Sequence, residues 1–240
     1  MMVVQANCRA HFTQEDFDFI LATFGRKQSD RNALVDLLSD PDTRDMILDD
    51  EALFHGLLEH RGCLSVSHHF YFYVLVRTTL KRAGIEEKDV ADYVAEVLAE
   101  YSESERTRAV IPGQKGTIDY FVDMVQALET ADDHTRFMIR AHIGNQSLFF
   151  AGVFPQRILH RMERRGAPSL SYYEALGQTS FRLASDHRLA AKYDLASVFA
   201  TLAEKFRATR LALNDMAERL LTLGDSDAHD SFLRATFAGN

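Results

Sequence analysis

A heptad repeat near the carboxyl end is the feature that most constrains the fold of this 240-residue chain. Apolar residues recur there at alternating steps of four and three, at Leu195, Phe199, Leu202, Phe206, Leu213, Met216 and Leu220, with Thr209 in the remaining place. The spacing predicts one long helix over 190–223 with a continuous apolar seam. Such a seam must be covered, because an exposed apolar stripe promotes association. Phenylalanine suits a domain core better than a two-stranded coiled coil, so we expect helices of the same chain to cover the seam.

A second constraint is the run SVSHHFYFYVLVR at 65–77, which is aromatic or aliphatic over most of its length. Such residues favour strands, yet the run continues without a turn residue to Leu80. Two basic residues and then Gly84 follow, and these are helix stop signals. We therefore predict a helix over 67–83 that is apolar on most of its surface and lies at the centre of the fold.

The scarcity of turn residues supports a helical fold. The chain has only 4 Pro and 12 Gly, and they fall mainly between periodic segments. The sequence thus predicts an all-α protein: a multi-helix, bundle-like domain of about nine helices that ends in the long heptad-patterned helix. Residues 1–240 are expected to form a single helical domain, with an internal boundary conceivable only in the polar loop at 102–116.

Charge and composition narrow the range of partners. The net charge of −8 disfavours nucleic-acid binding, which depends on neutralisation of phosphates by Lys and Arg. The first residues lack the basic start of a signal peptide, and no run reaches the roughly 20 apolar residues of a membrane-spanning helix. Cys8 and Cys63 form no metal or redox motif with each other, which fits a reducing compartment. These features predict a cytoplasmic protein without nucleic-acid or membrane partners.

A group of histidines and carboxylates suggests a metal site. Glu51, His55 and Glu59 recur every four residues, so their side chains can project from one helix face, and His69 follows on the next helix. Imidazole and carboxylate ligands suit zinc or iron, and helical bundles assemble such ligands from facing helices. The di-iron pattern Glu-x-x-His is absent. The alternative is a solvated helix face beside a hydrogen-bonded core histidine.

A haem site is a second hypothesis. His134 and His142 lie eight residues apart on one predicted helix, and the aromatic run at 70–73 could line an apolar haem pocket. Aromatic residues at helical spacing are otherwise ordinary core residues.

A small-molecule pocket is a third hypothesis. Small residues recur at steps of three and four in 144–152 and 175–184, so the two helices that contain them should approach closely. Asn145, Gln146 and Tyr173 could line a pocket beside that contact. The alternative is a purely structural set of buried amides that hydrogen-bond to partners of their own, with Gln178 among them.

Three segments resemble a known group of proteins. IGNQSLFFAGVFPQRI at 143–158, SYYEALGQTSFRLASDHRLA at 171–190 and FYFYVLVR at 70–77 are similar to segments of uncharacterised bacterial all-helical proteins. The resemblance runs from about Phe70 onward. It implies a bacterial source and assigns no activity, cofactor or site residue.

Three classes of function therefore stay open. The chain has no Gly-rich phosphate loop, nucleophile elbow or Cys-His catalytic arrangement, which favours a non-catalytic helical protein that associates with itself or with a protein partner. The alternatives are a metal- or haem-binding helical protein and a small-molecule binding protein.

Overall fold

The computed structural model describes residues 3–25, 28–59, 65–102, 121–165 and 168–223. Over these residues the protein is helical and contains no strand, which confirms the all-α fold class. The elements in chain order are a 3-10 helix Cys8–His11 and the α-helices α1 Gln14–Phe24, α2 Gln28–Ser39, α3 Pro41–Leu48, α4 Glu51–Leu58, α5 His68–Arg82, α6 Lys88–Ser102, α7 Phe121–Thr130, α8 Asp133–Val153, α9 Pro155–Arg165, α10 Leu170–Ser185, α11 Arg188–Lys192, α12 Ala196–Glu204 and α13 Phe206–Leu223. The candidate boundary lies outside the described residues except for Ser102.

Helix α5 is the central helix, as predicted. Every residue from Phe70 to Leu80 is buried, and the helix packs against α6, α13 and the 3-10 helix. Ser67 caps its start, because its Oγ accepts a hydrogen bond from the backbone N–H of Phe70 at 3.0 Å. At its end Gly84 adopts a φ of 77°, and the N–H of Ile85 donates to the carbonyl of Leu80 at 2.9 Å. This is a Schellman motif, and glycine takes its left-handed position without steric cost.

Helices α8 and α10 form a close pair through their small residues, which confirms the predicted contact. A Cβ added at Gly144 would lie 2.7 Å from the Phe181 ring. A Cβ added at Gly177 would lie 2.5 Å from the Phe206 ring and 2.8 Å from Cβ of Ser147. The two backbones approach so closely because these positions carry no side chain.

The prediction of one long helix over 190–223 is wrong, because the chain forms α11, α12 and α13 there. The first interruption is another Schellman motif: Asp194 has a φ of 56°, and the N–H of Leu195 donates to the carbonyl of Ala190 at 2.8 Å. The second interruption is at Lys205, between α12 and α13. These breaks account for part of the excess of helices over the nine expected.

The heptad seam is nevertheless buried at every position. The seam residues and Thr209 are all between 0 and 3% exposed. Helix α12 packs against α10 and α6, and α13 packs against α8 and α5. The expectation that the same chain covers the seam is therefore confirmed.

Candidate metal centre

The carboxylates and the histidine predicted on α4 lie on its solvent side. His55 Nε2 is 3.9 Å from Glu51 Oε2, and His55 Nδ1 is 3.5 Å from Glu59 Oε1. More than half of each of these side chains is exposed, and Glu51 Oε1 also accepts a hydrogen bond from Arg82 Nη2 at 3.1 Å. The three residues share one face, as predicted, but they form solvated i, i+4 pairs, and His69 contacts a different carboxylate.

His69 instead belongs to a cluster that joins three elements. Among the described residues, one group of three His, Cys, Asp or Glu side chains has its ligand atoms within 4.8 Å of one another, namely His11, His69 and Glu96. His69 Nε2 lies 3.5 Å from Glu96 Oε2, and the two imidazole rings lie 4.6 Å apart between centroids. His11 ends the 3-10 helix, His69 is in the first turn of α5, and Glu96 is in the middle of α6.

A buried aspartate brings the two histidines together. Asp16 accepts hydrogen bonds from the backbone N–H of Thr13 at 2.7 Å and from the N–H and Oγ of Ser67 at 2.6 and 2.7 Å. It thus ties the start of α1 to the start of α5. His11 lies two residues before Thr13 and His69 two residues after Ser67, so this junction places the two imidazoles side by side.

Arg9 holds the 3-10 helix against α6. Its backbone N–H donates to Asp92 Oδ1 at 2.9 Å, and its guanidinium donates to Asp92 at 3.3 Å and to Asp45 at 3.0 Å. Asp92 precedes Glu96 by four residues, so the two carboxylates lie on the same side of α6. Arg9 thus holds the 3-10 helix, which ends at His11, beside the helix that carries Glu96.

Glu96 is the buried member of the cluster. The residue is 5% exposed, and its Oε2 lies 3.5 Å from Nε2 of His69, at the outer limit of a hydrogen bond. The contact with His69 becomes an ion pair when the imidazole is protonated. A hydrogen bond to the Glu96 carboxylate raises the pKa of His69, burial opposes the rise, and the negative charges of Glu96, Asp16 and Glu100 add to it. Because buried carboxylates are normally well paired, a cation beside Oε2 would satisfy this one.

One separation in the cluster matches that expected around a tetrahedral metal ion. Two ligand atoms that each lie about 2.1 Å from Zn²⁺ are roughly 3.4 Å apart at the tetrahedral angle. The separation of His69 Nε2 and Glu96 Oε2 is 3.5 Å, and the His11 ligand atom is within 4.8 Å of both. Two imidazoles and one carboxylate are ligands that zinc accepts readily.

The histidines predicted for haem do not face a common site. His134 is exposed at the start of α8. His142 is buried, and its Nδ1 lies 2.9 Å from the hydroxyl of Tyr101 on α6. His142 therefore takes part in a polar contact between two core helices.

The residues predicted to line a small-molecule pocket are also dispersed. Asn145 Oδ1 accepts a hydrogen bond from the Tyr93 hydroxyl of α6 at 2.7 Å, and Gln146 is 2% exposed within the core. Tyr173 is half-buried on α10, where its ring meets Phe121 edge to face at 5.1 Å. Gln178 is exposed, so Asn145 links α8 to α6 and does not join Gln178 at the α8–α10 contact.

Comparison with known proteins does not assign the chain to a family. No protein-family model, curated protein or solved structure matches the chain. No helix in the described part is long and apolar enough to cross a membrane. A fold does not by itself determine function, so the arrangement of side chains in the site carries the functional information.

Proposed function

We propose that the protein binds a divalent transition-metal ion, with Zn²⁺ as the expected ion, through His11, His69 and Glu96. The observation that supports this most strongly is the convergence of three ligand atoms, two imidazole nitrogens and one carboxylate oxygen, at a buried carboxylate. The proposal retains His69 from the sequence hypothesis and replaces Glu51, His55 and Glu59 with ligands from two other elements.

The charge balance of the cluster also favours a cation. A buried carboxylate is costly unless a positive group or hydrogen bonds compensate it. His69 neutralises the charge of Glu96 only when its imidazole is protonated, whereas a metal ion binds neutral imidazole and carboxylate together. A metal ion would therefore neutralise the Glu96 carboxylate while both imidazoles stay neutral.

Association with a protein partner or a second copy stays a prediction, and the structure offers less support for it. The apolar seam on which the sequence argument rested is buried against helices of the same chain. The proposed metal centre requires no second copy, since all three ligands belong to one chain.

Isothermal titration of the purified full chain with Zn²⁺ tests the proposal. His11→Ala is the most informative variant, because His11 is exposed and its loss should leave the fold intact. We expect one Zn²⁺ per chain, and we expect His11→Ala and Glu96→Gln each to weaken binding by at least about 100-fold, since even outer-shell substitutions cost roughly 10–100-fold.

His55→Ala is the matched control, because it removes an exposed histidine that also lies between carboxylates. It should bind Zn²⁺ as tightly as the unmodified chain. Equal affinity in the unmodified chain and His11→Ala, or a loss confined to His55→Ala, would overturn the proposal. Far-ultraviolet circular dichroism of each variant checks that the helices are retained.

A further inference from the structure

The side chain of Asn7 contacts the exposed member of the proposed metal centre. Its Nδ2 atom lies 3.3 Å from Nε2 of His11. Asn7 occupies the N-cap position of the 3-10 helix, a position in which asparagine commonly accepts a hydrogen bond from a backbone N–H of the first turn. Its side chain makes no cap hydrogen bond to the described residues of that helix. The amide is thus directed to the His11 ring and not to the start of the helix.

A ring nitrogen of histidine can serve either a metal ion or a hydrogen bond, but not both. Each nitrogen of a neutral imidazole has either one proton or one lone pair in the ring plane. A histidine that binds a metal ion therefore uses one nitrogen for the ion, and it usually donates the N–H of the other nitrogen to a carbonyl, a carboxylate or water. Because Asn7 contacts Nε2 of His11, Nδ1 is the nitrogen left for the ion.

We propose that Asn7 is a positioning residue of the metal centre: its side-chain carbonyl accepts the Nε2–H of His11, so that Nδ1 of that ring binds the ion. This inference rests on the proposed function and deepens it. The oxygen and nitrogen of an asparagine amide have nearly the same size, so a half-turn of the amide puts Oδ1 in the place of Nδ2. His69 would bind the same ion through Nε2, the atom that lies beside Glu96.

The contact orients an exposed ring. His11 is exposed at the end of the 3-10 helix, and its ring lies 4.6 Å from that of His69 between centroids. An exposed side chain that becomes a metal ligand loses rotamer freedom, which costs free energy. A hydrogen bond at Nε2 fixes the tautomer and the ring orientation before the ion binds, and it makes Nδ1 more basic. Loss of such an outer contact typically weakens metal binding by roughly 10–100-fold.

Nuclear magnetic resonance of the histidine rings in the full chain tests this inference directly. Long-range ¹H–¹⁵N correlation spectra distinguish the two ring nitrogens, and ¹¹³Cd²⁺ in place of Zn²⁺ splits the signal of each nitrogen that binds it. The His11→Ala spectrum identifies the His11 signals by their loss. We expect ¹¹³Cd coupling at Nδ1 of His11 and at Nε2 of His69, and we expect Nε2 of His11 to keep its proton.

Substitutions of Asn7 distinguish positioning from a purely structural role. Asn7→Leu is close in size and removes the acceptor, so it should weaken Zn²⁺ binding by about 10–100-fold. Asn7→Asp keeps an acceptor in the same place, and it should bind Zn²⁺ at least as tightly as the unmodified chain, because a carboxylate is a common partner of zinc-bound histidine. Gln156→Leu is the matched control, since it removes an exposed amide of α9 and should leave the affinity unchanged.

The outcomes separate this inference from the function on which it rests. If ¹¹³Cd couples to Nε2 of His11 and not to Nδ1, the metal centre stands and Asn7 does not position it. Equal Zn²⁺ affinity in Asn7→Leu and the unmodified chain would also overturn the role of Asn7. If neither His11 nor His69 couples to ¹¹³Cd, both proposals fail. The spectra of the unmodified chain give a reading that does not depend on how any Asn7 variant folds.

Discussion

At the scale of single residues, the polar interactions best defined by the structure lie around a buried arginine. Arg77 is 2% exposed, and its Nε and Nη2 donate to the two carboxylate oxygens of Asp49 at 2.7 and 2.8 Å. Its Nη1 donates to the carbonyl of Glu86 at 2.8 Å, and Lys81 Nζ donates to Asp49 at 3.2 Å. Burial by itself raises the pKa of Asp49, but the hydrogen bonds and charge of Arg77, and then of Lys81, outweigh it and lower the pKa.

This pair predicts a specific dependence of stability on pH. Because the folded-state pKa of Asp49 is below the unfolded value of about 3.9, its contribution is complete above that value and is lost as the pH falls through the folded pKa. Asp49→Asn should lower the free energy of unfolding by about 2–3 kcal/mol at pH 7, since it leaves the buried charge of Arg77 uncompensated. Urea denaturation should show that this deficit shrinks as the pH falls below about 4.

The control for this prediction is Asp18→Asn, which changes an exposed aspartate of α1 and should stay within about 0.5 kcal/mol of the unmodified chain at every pH. A deficit in Asp49→Asn that does not change with pH would mean that the carboxylate charge is not what stabilises the contact.

At the scale of helices, the spacing of small residues on α8 and α10 sets how closely they pack. Gly177→Ala should lower the free energy of unfolding by about 1–3 kcal/mol, because the new methyl group meets the buried Phe206 ring and the main-chain-proximal Cβ of Ser147. Gly56→Ala on α4 is the matched control, since its nearest neighbours would be 3.5 Å away. That change should leave the free energy of unfolding unchanged or raise it by up to about 1 kcal/mol, because alanine favours the helix more than glycine does. Thermal melts that show equal effects for the two substitutions would contradict the close approach.

The heptad seam predicts a second effect at this scale. Phe206 is 1% exposed, and its ring lies 6.2 Å from that of Phe181. Phe206→Asp removes a buried ring from the core and puts a charged carboxylate among apolar side chains, so the monomer should unfold. Circular dichroism and light scattering decide the matter, because a folded, monomeric Phe206→Asp would mean that this part of the seam is dispensable to the core.

Helix ends show what the sequence could and could not predict. The ends of α5 and α11 have the same Schellman geometry, with an apolar residue following the left-handed position, at Ile85 and at Leu195. Gly84 indicates the end of α5 in the sequence, so the helix over 67–83 could be predicted. Asp194 does not indicate the end of α11, because aspartate takes a left-handed conformation only occasionally. Leu195 also fits the heptad pattern, so the sequence reads equally well as a helix that continues.

At the scale of the whole molecule, the metal centre depends on contacts that sequence patterns do not encode. His69 was identifiable because it stands within a histidine-rich segment. His11 and Glu96 become its neighbours only through Asp16, which joins the starts of α1 and α5, and through Arg9, which fastens the 3-10 helix to α6. Neither residue forms a recognisable ligand motif with His69 along the chain, so the sequence pattern indicated metal ligands on α4 instead.

A metal ion at this junction would connect three elements, and it should therefore stabilise the whole domain. Binding to the folded state alone raises the free energy of unfolding by about 2.7 kcal/mol when free Zn²⁺ is 100 times its dissociation constant. Differential scanning fluorimetry should show a higher melting temperature with Zn²⁺ for the unmodified chain and for His55→Ala, and no rise for His11→Ala. A rise in all three would assign the stabilisation to metal bound elsewhere.

Anomalous diffraction from crystals of the zinc-loaded chain, collected above and below the zinc absorption edge, tests the central claim most directly because it locates the ion without any substitution. We expect one strong peak that lies about 2.0–2.2 Å from a ring nitrogen of His11, a ring nitrogen of His69 and an oxygen of Glu96. A dominant peak on α4 beside His55, or crystals of the zinc-treated chain with no peak among His11, His69 and Glu96, would contradict it.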